Sequence, residues 1–98
     1  MNIKKWVYGD YSTNYGAHSL AFQVGDLQVY FSYDTVVAFR TPQTGLVVHK
    51  NDWSTTTGKH LNCIDGGDKK GRVGSEEFNA KLAGALRTRG LSFFADTY

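Results

Sequence analysis

Two short stretches of the chain alternate apolar and polar positions. From His18 to Val24, Leu20, Phe22 and Val24 fall on one side and Ser19, Ala21 and Gln23 on the other. From Leu27 to Tyr33, Leu27, Val29, Phe31 and Tyr33 share a side. A period of two predicts half-buried strands. Gly25-Asp26 separates them, and a two-residue loop opening on glycine fits a type II′ or I′ hairpin turn. That register sets Val24 opposite Leu27, Phe22 opposite Val29 and Leu20 opposite Phe31. All six apolar side chains then lie on one face, so turn chemistry and pattern agree.

Around this hairpin the pattern predicts more strands. Ile3 to Tyr8 reads as a first strand, with the polar stretch Gly9 to Gly16 after it. Val36 to Arg40 is a strand of ambiguous phase. Asp34 and Thr35 interrupt the alternation; a two-residue turn sends Val36 and Ala38 to the core and leaves Val37 and Phe39 beside Tyr30, whereas a bulge or a longer turn reverses this. Thr41 to Gly45, with Pro42, reads as a turn and Leu46 to Lys50 as a strand. The pattern changes at Ser75. Phe78, Leu82 and Leu86, with Ala85 alongside, form an apolar stripe at helical spacing. Ser75 is the expected N-cap, Glu76 and Glu77 suit the positive end of the helix dipole, and Gly90 suits the position just past the helix end. Leu91 to Ala95 reads as a last strand.

Between these parts, 51–74 shows no clear period. It is rich in Thr, Gly, Lys and Asp, and its apolar residues are Trp53, Leu61, Cys63, Ile64 and Val73. The expectation is a long polar connection, with a short strand or a turn of helix at Leu61 to Ile64. Connections of this length in small domains are functional or disordered. Trp53 to Ile64 has anchors enough to pack. Gly66 to Gly71 has none, and is expected to be the flexible tip. The whole pattern gives a single α+β domain over 1–98: an antiparallel sheet of about five to six strands, a meander of hairpins, and one amphipathic helix over about 75–89. Phe22, Val29, Phe31 and Leu82 are the expected core.

Composition narrows the functional classes. The chain has 98 residues and 41% hydrophobic residues, the balance of a folded globule. Its formal net charge of +2 is too small to imply a polyanion partner by itself. With one cysteine, Cys63, no internal disulfide forms, which suits a reducing cytoplasm. Neither an 18-residue apolar run nor a secretion signal is visible, so no membrane role is expected.

Each candidate for chemistry has a plain competitor. Thr57-Gly58-Lys59-His60 resembles part of a phosphate loop, but Trp53 and His60 stand where that motif needs Gly and Ser or Thr. His18, His49 and His60 lack close ligand spacing, so no metal is expected. Asp65 and Asp68 flank Gly66-Gly67, where side-chain bonds to a Gly-Gly turn explain them as well as catalysis does. Cys63 beside Leu61 and Ile64 reads as a small buried residue rather than a nucleophile based by His60. Lys59, His60, Lys69, Lys70 and Arg72 form the one basic cluster. With the aromatic residues Trp6, Tyr8, Tyr11, Tyr15, Tyr30 and Trp53, they suit a protein interface or single-stranded nucleic acid.

The stretches Tyr30-Phe31-Ser32-Tyr33-Asp34-Thr35-Val36-Val37-Ala38-Phe39-Arg40, Asn51-Asp52-Trp53-Ser54 and Thr56-Thr57-Gly58-Lys59-His60-Leu61-Asn62 resemble a family of small uncharacterised proteins from phage, bacterial and archaeal genomes. The resemblance spans roughly residues 11 to 86. It implies a phage or mobile-element setting, where proteins of this size often bind and block host machinery, including defence systems. It carries no catalytic residues over. The expected function is therefore a non-enzymatic, cytoplasmic binding protein without cofactor, acting on a host protein. Its partner-binding residues are expected to be Trp53, Lys59, His60, Lys69, Lys70 and Arg72. The alternatives are a nucleic-acid binder using the basic segment 59–72, and a small metal-dependent hydrolase using His60 with Asp65 or Asp68.

Overall fold

The computed structural model describes residues 3–8, 19–53 and 55–91. Five strands form one antiparallel sheet in chain order: β1 (Ile3–Val7), β2 (Leu20–Val24), β3 (Leu27–Ser32), β4 (Thr35–Thr41) and β5 (Gly45–Val48). Two helices follow, α1 (Thr55–Asp65) and α2 (Ser75–Thr88), with a 3₁₀ turn at Lys69–Gly71 between them. The fold is α+β, a meander sheet with a helix near the C-terminus, as the pattern predicts. The last predicted strand, Leu91 to Ala95, lies largely outside the described residues.

The β2–β3 hairpin has the predicted register, with Val24 opposite Leu27 and Phe22 opposite Val29. Gly25 sits at φ +61° and Asp26 does not share the positive φ, the signature of a type II′ turn. The ambiguous phase of β4 is resolved by a bulge. Ser32 pairs with Thr35 and Phe31 with Val36, yet Tyr30 pairs with Ala38. Val37 is the extra residue. As a result Val36 and Phe39 face one side, Val37 and Ala38 the other, and all four are buried.

Both faces of the sheet are covered. On one, α2 lays Phe78, Leu82, Ala85 and Leu86 against Leu27, Val36, Phe39 and Val47. The rings of Phe39 and Phe78 meet edge to face, with centroids 5.5 Å apart. On the other, α1 sets Leu61 on Val37, Ala38 and Val48, with Tyr30, Leu46 and Ile64 packed around them. Leu82 is core as expected, but Phe22, Val29 and Phe31 are only half-buried. Val29 and Phe31 flank the central cluster and Phe22 packs on the Phe31 ring, because Val36, Phe39 and Val47 on β4 and β5 occupy its centre.

The second helix is the main departure from expectation. The 51–74 segment is not a long connection, because α1 fills much of it. Its buried stripe is Thr57, His60, Leu61 and, partly covered, Ile64, at i, i+3, i+4 and i+7. Two of those four positions are polar, which hid the helical period from a hydrophobicity reading. Cys63 is exposed rather than buried, since it falls off this stripe. The helix stops at Asp65. Gly66 follows at φ +69°, and the Gly67 N–H donates to Asp65 Oδ1 at 2.9 Å, so the Gly-Gly turn is held by the Asp side chain.

The start of α2 also differs in detail. Gly74, not Ser75, is the N-cap residue, and no side chain caps the end. The Ser75 hydroxyl instead bonds to Nε2 of the buried His49 at 2.9 Å. His49 Nδ1 donates to the Lys50 carbonyl. The other end follows expectation. Gly90 lies at φ +74°, its N–H donates to the Arg87 carbonyl, and the Leu91 N–H donates to Leu86, closing a Schellman motif.

Candidate functional site

The residues of the candidate site gather around α1. Its inner stripe holds a buried polar cluster rather than a purely apolar contact. Ser32 Oγ lies 2.7 Å from His60 Nδ1 and 2.9 Å from Thr57 Oγ1. Ser32, Thr57 and His60 are all buried. The His60 ring is flanked by Tyr8 and Tyr33, with centroids 6.1 and 6.0 Å away. Tyr8 in turn donates its hydroxyl to the Phe31 carbonyl at 2.6 Å and stacks edge-on against Tyr30. Buried hydroxyls and an imidazole are tolerated only with partners, so the cluster permits one seating of α1 on the sheet.

Directly above this cluster the surface is aromatic. Tyr33 and Trp53 are 45% and 44% exposed, high values for side chains of this size. Both line a recess of about 170 Å³, together with Ser32, Thr35, Val37 and Thr57. Tyr33 has φ +57°, the one non-glycine residue with positive φ among those described. A bulky side chain is disfavoured there, so the hairpin holds this ring in place at a steric cost. Trp53 is held from below by the His49 ring, 4.6 Å away. The Trp53 N–H donates to Asn51 Oδ1 at 3.1 Å, which fixes the turn leading into α1.

The expected contact residues divide into two groups. Trp53, Lys59, Lys69 and Lys70 are exposed. His60 and Arg72 are instead buried. Arg72 Nε and Nη2 grip the Asp65 carboxylate at 2.7 and 3.0 Å, and Nη2 also donates to Asn62 Oδ1 at 2.9 Å. Burial by itself would raise the Asp65 carboxyl pKa. The hydrogen bonds from Arg72 and Gly67, with the Arg72 charge, outweigh burial and hold it below the usual value of 3.8. The same carboxylate raises Arg72 above its ordinary value. The tip expected to be unpinned is thus tied back at Arg72, and Lys69–Gly71 forms its 3₁₀ turn. Val73 extends the tie, pairing beside β5 through the bonds Val73 N–H to Val48 and Lys50 N–H to Val73.

These positions bear on the hydrolase alternative. His60 and Asp65 are five residues apart on one helix, roughly 140° around its axis. His60 points to the sheet and Asp65 to Arg72. Among the described residues, no group of three His, Cys, Asp or Glu side chains is placed to hold a metal ion.

A family model described as a family of unknown function, DUF8033, matches residues 1–80. The chain belongs to this family. No curated protein and no solved structure matches it. The DUF8033 match takes in all five strands, α1 and the first turns of α2. Ser32 lies in the first sequence stretch that carried the family resemblance, and Thr57 and His60 in the last. The fold brings them into one hydrogen-bonded cluster. Their proximity was not legible in the sequence, where 25 and 28 positions separate them from Ser32.

Proposed function

We propose that this DUF8033 chain is a non-enzymatic binding protein that engages another protein through the Tyr33–Trp53 surface, with exposed lysines of α1 and the 69–70 turn at its margin. The observation that carries the reading is the pair of large, half-exposed aromatic rings held over a rigid polar cluster. Aromatic side chains fixed before binding lose little freedom on association, and they dominate protein interfaces. The recess of about 170 Å³ is smaller than a typical small-molecule pocket of roughly 300–1,000 Å³. It suits one inserted side chain of a partner. The Ser32–His60 pair supports this surface from beneath. With His60 fully buried, the imidazole does not meet a substrate.

The setting we propose is that of a phage or mobile element, with a host protein, including one of a defence system, as the partner. Pull-down from host lysate with and without nuclease, using wild type and Trp53→Ala, tests the reading. Trp53 is half-exposed, so the variant should keep its melting temperature within a degree or two while losing the captured protein. Capture that survives Trp53→Ala removes this surface. Capture that disappears with nuclease replaces the protein partner by nucleic acid.

A further inference from the structure

A second flank of α1 carries chemistry that the aromatic surface does not use. Gly58, Asn62 and Asp65 follow one another at i, i+4 and i+7, on a different side from the buried stripe. They face the end of β5 and the turn before Val73. A cleft of about 320 Å³ opens between these parts, lined by Lys50, Asn51, Gly58, Asn62, Lys69 and Arg72. Its lining is three cations, two amides and a glycine, with no apolar side chain.

The charges do not cancel within the cleft. Asp65 is committed to Arg72 through two hydrogen bonds. Asp68, the other nearby acid, packs against its own turn, where a Cβ on Gly71 would stand 3.3 Å from Oδ2, and its charge also acts on Arg72, so two acids face three cations. Lys50 and Lys69 are exposed and make no ion pair among the described residues. The Arg72 side chain is only 5% exposed, and its Nη1 makes no hydrogen bond to a described residue. The Nη1 N–H groups open onto the cleft, where they are free to donate to an acceptor that enters it. Gly58 keeps the wall low, since a Cβ there would stand 3.0 Å from Asn51 Nδ2.

We propose that this cleft binds a phosphate group, with Arg72 Nη1, Lys50 and Lys69 as its donors. Asp65 and Asn62 hold the guanidinium in one orientation before any ligand arrives, so little side-chain freedom is lost on binding. Donors from three separate side chains converge better on the several oxygens of a phosphate than on the two of a carboxylate. The volume leaves room for the group to which the phosphate is attached. A free mononucleotide and the backbone of a single strand share this chemistry. The inference does not rest on the aromatic protein-binding surface, with which the cleft shares only Lys69 at its margin.

Amide chemical shifts of the full chain, followed by NMR at constant ionic strength, test it with three probes: inorganic phosphate, 5′-AMP and a short oligothymidine. Saturable shifts are expected at Lys50, Asn51, Gly58, Asn62 and Lys69 to Arg72. Lys50→Ala/Lys69→Ala should weaken binding by about tenfold or more with its spectrum otherwise retained, while Lys4→Ala on β1 should not change it. Saturation by AMP with no gain for the oligomer supports the site as one for a free nucleotide. Tighter oligomer binding that weakens steeply with salt supports it as a site for a nucleic-acid backbone. Shifts spread evenly over the lysines, no saturation by about 10 mM, or unchanged binding by the double variant would overturn the proposal.

Discussion

Arg72 shows most clearly how placement changes the meaning of a residue. In the sequence it joins Lys69 and Lys70 as one basic cluster, and removing all three charges together looks harmless to the fold. In the structure its side chain is 5% exposed and its partner Asp65 is 8% exposed. Arg72→Ala would strand a buried carboxylate, and the expected loss is about 3–5 kcal/mol in denaturant unfolding. Lys69→Ala/Lys70→Ala, both exposed, should stay within about 0.5 kcal/mol. Equal effects of the two variants would contradict the buried pair. The pair also predicts a pH dependence. The folded Asp65 pKa lies below its ordinary 3.8, so the unfolded chain takes up this proton first as pH falls. Its contribution is complete above about pH 4 to 5 and is lost on acidification through 3.8 and below. Asp65→Asn should therefore flatten the acid side of the stability curve, and a curve parallel to wild type would exclude this assignment. Residue chemistry was legible at Asp65-Gly66-Gly67, a local turn. It was not legible at Arg72, whose role depends on Asn62 and Asp65 across a turn of the chain.

Among the elements, the β2–β3 hairpin was specified locally and α1 was not. The hairpin has alternation, a glycine turn and one register that agrees with both. Gly25 at φ +61° has open space around its missing Cβ, so backbone conformation alone makes a side chain costly there. Gly25→Val should lower the melting temperature by several degrees, and an unchanged value would show that the turn relaxes to another type. Asp26, beside it, accepts from Arg89 Nε at 2.7 Å, and Arg89 also reaches Gln43, so this turn is fastened to the end of α2. α1 lacks such local support. Thr55-Thr56-Thr57-Gly58 has poor helix propensity, and its buried face mixes hydroxyl and imidazole with Leu61. Tertiary contacts hold it: Ser32 on β3 supplies the hydrogen bonds that make a polar helix face acceptable in the interior.

On the scale of the whole molecule, the sheet separates two cores. Leu82 belongs to the cluster under α2 and Leu61 to the cluster under α1, and each is almost completely buried. Leu82→Ala and Leu61→Ala should each cost about 2–5 kcal/mol. Because the two clusters share no residue, the double variant should lose nearly the sum, measured by chemical denaturation. If Leu61→Ala costs less than about 0.5 kcal/mol, α1 is not a structural layer and the rigid base under Tyr33 and Trp53 is lost from the argument. No helix of the described residues is long and apolar enough to cross a membrane.

Sequence alone determined the meander, its hairpin register, the extent of α2 and its Gly90 stop. Each depends on neighbours within a few residues, where periodicity and turn chemistry act directly. Only the tertiary structure decided the rest. The bulge at Val37 was chosen by the two faces competing for Val36, Val37, Ala38 and Phe39, and it buries all four. The helicity of α1 was decided by Ser32, distant in sequence, because a buried polar stripe is stable only where partners wait for it. For the same reason His60 and Arg72 moved from the expected surface to the interior, leaving Tyr33 and Trp53 as the exposed aromatic pair and Lys50, Lys69 and Arg72 around one cleft.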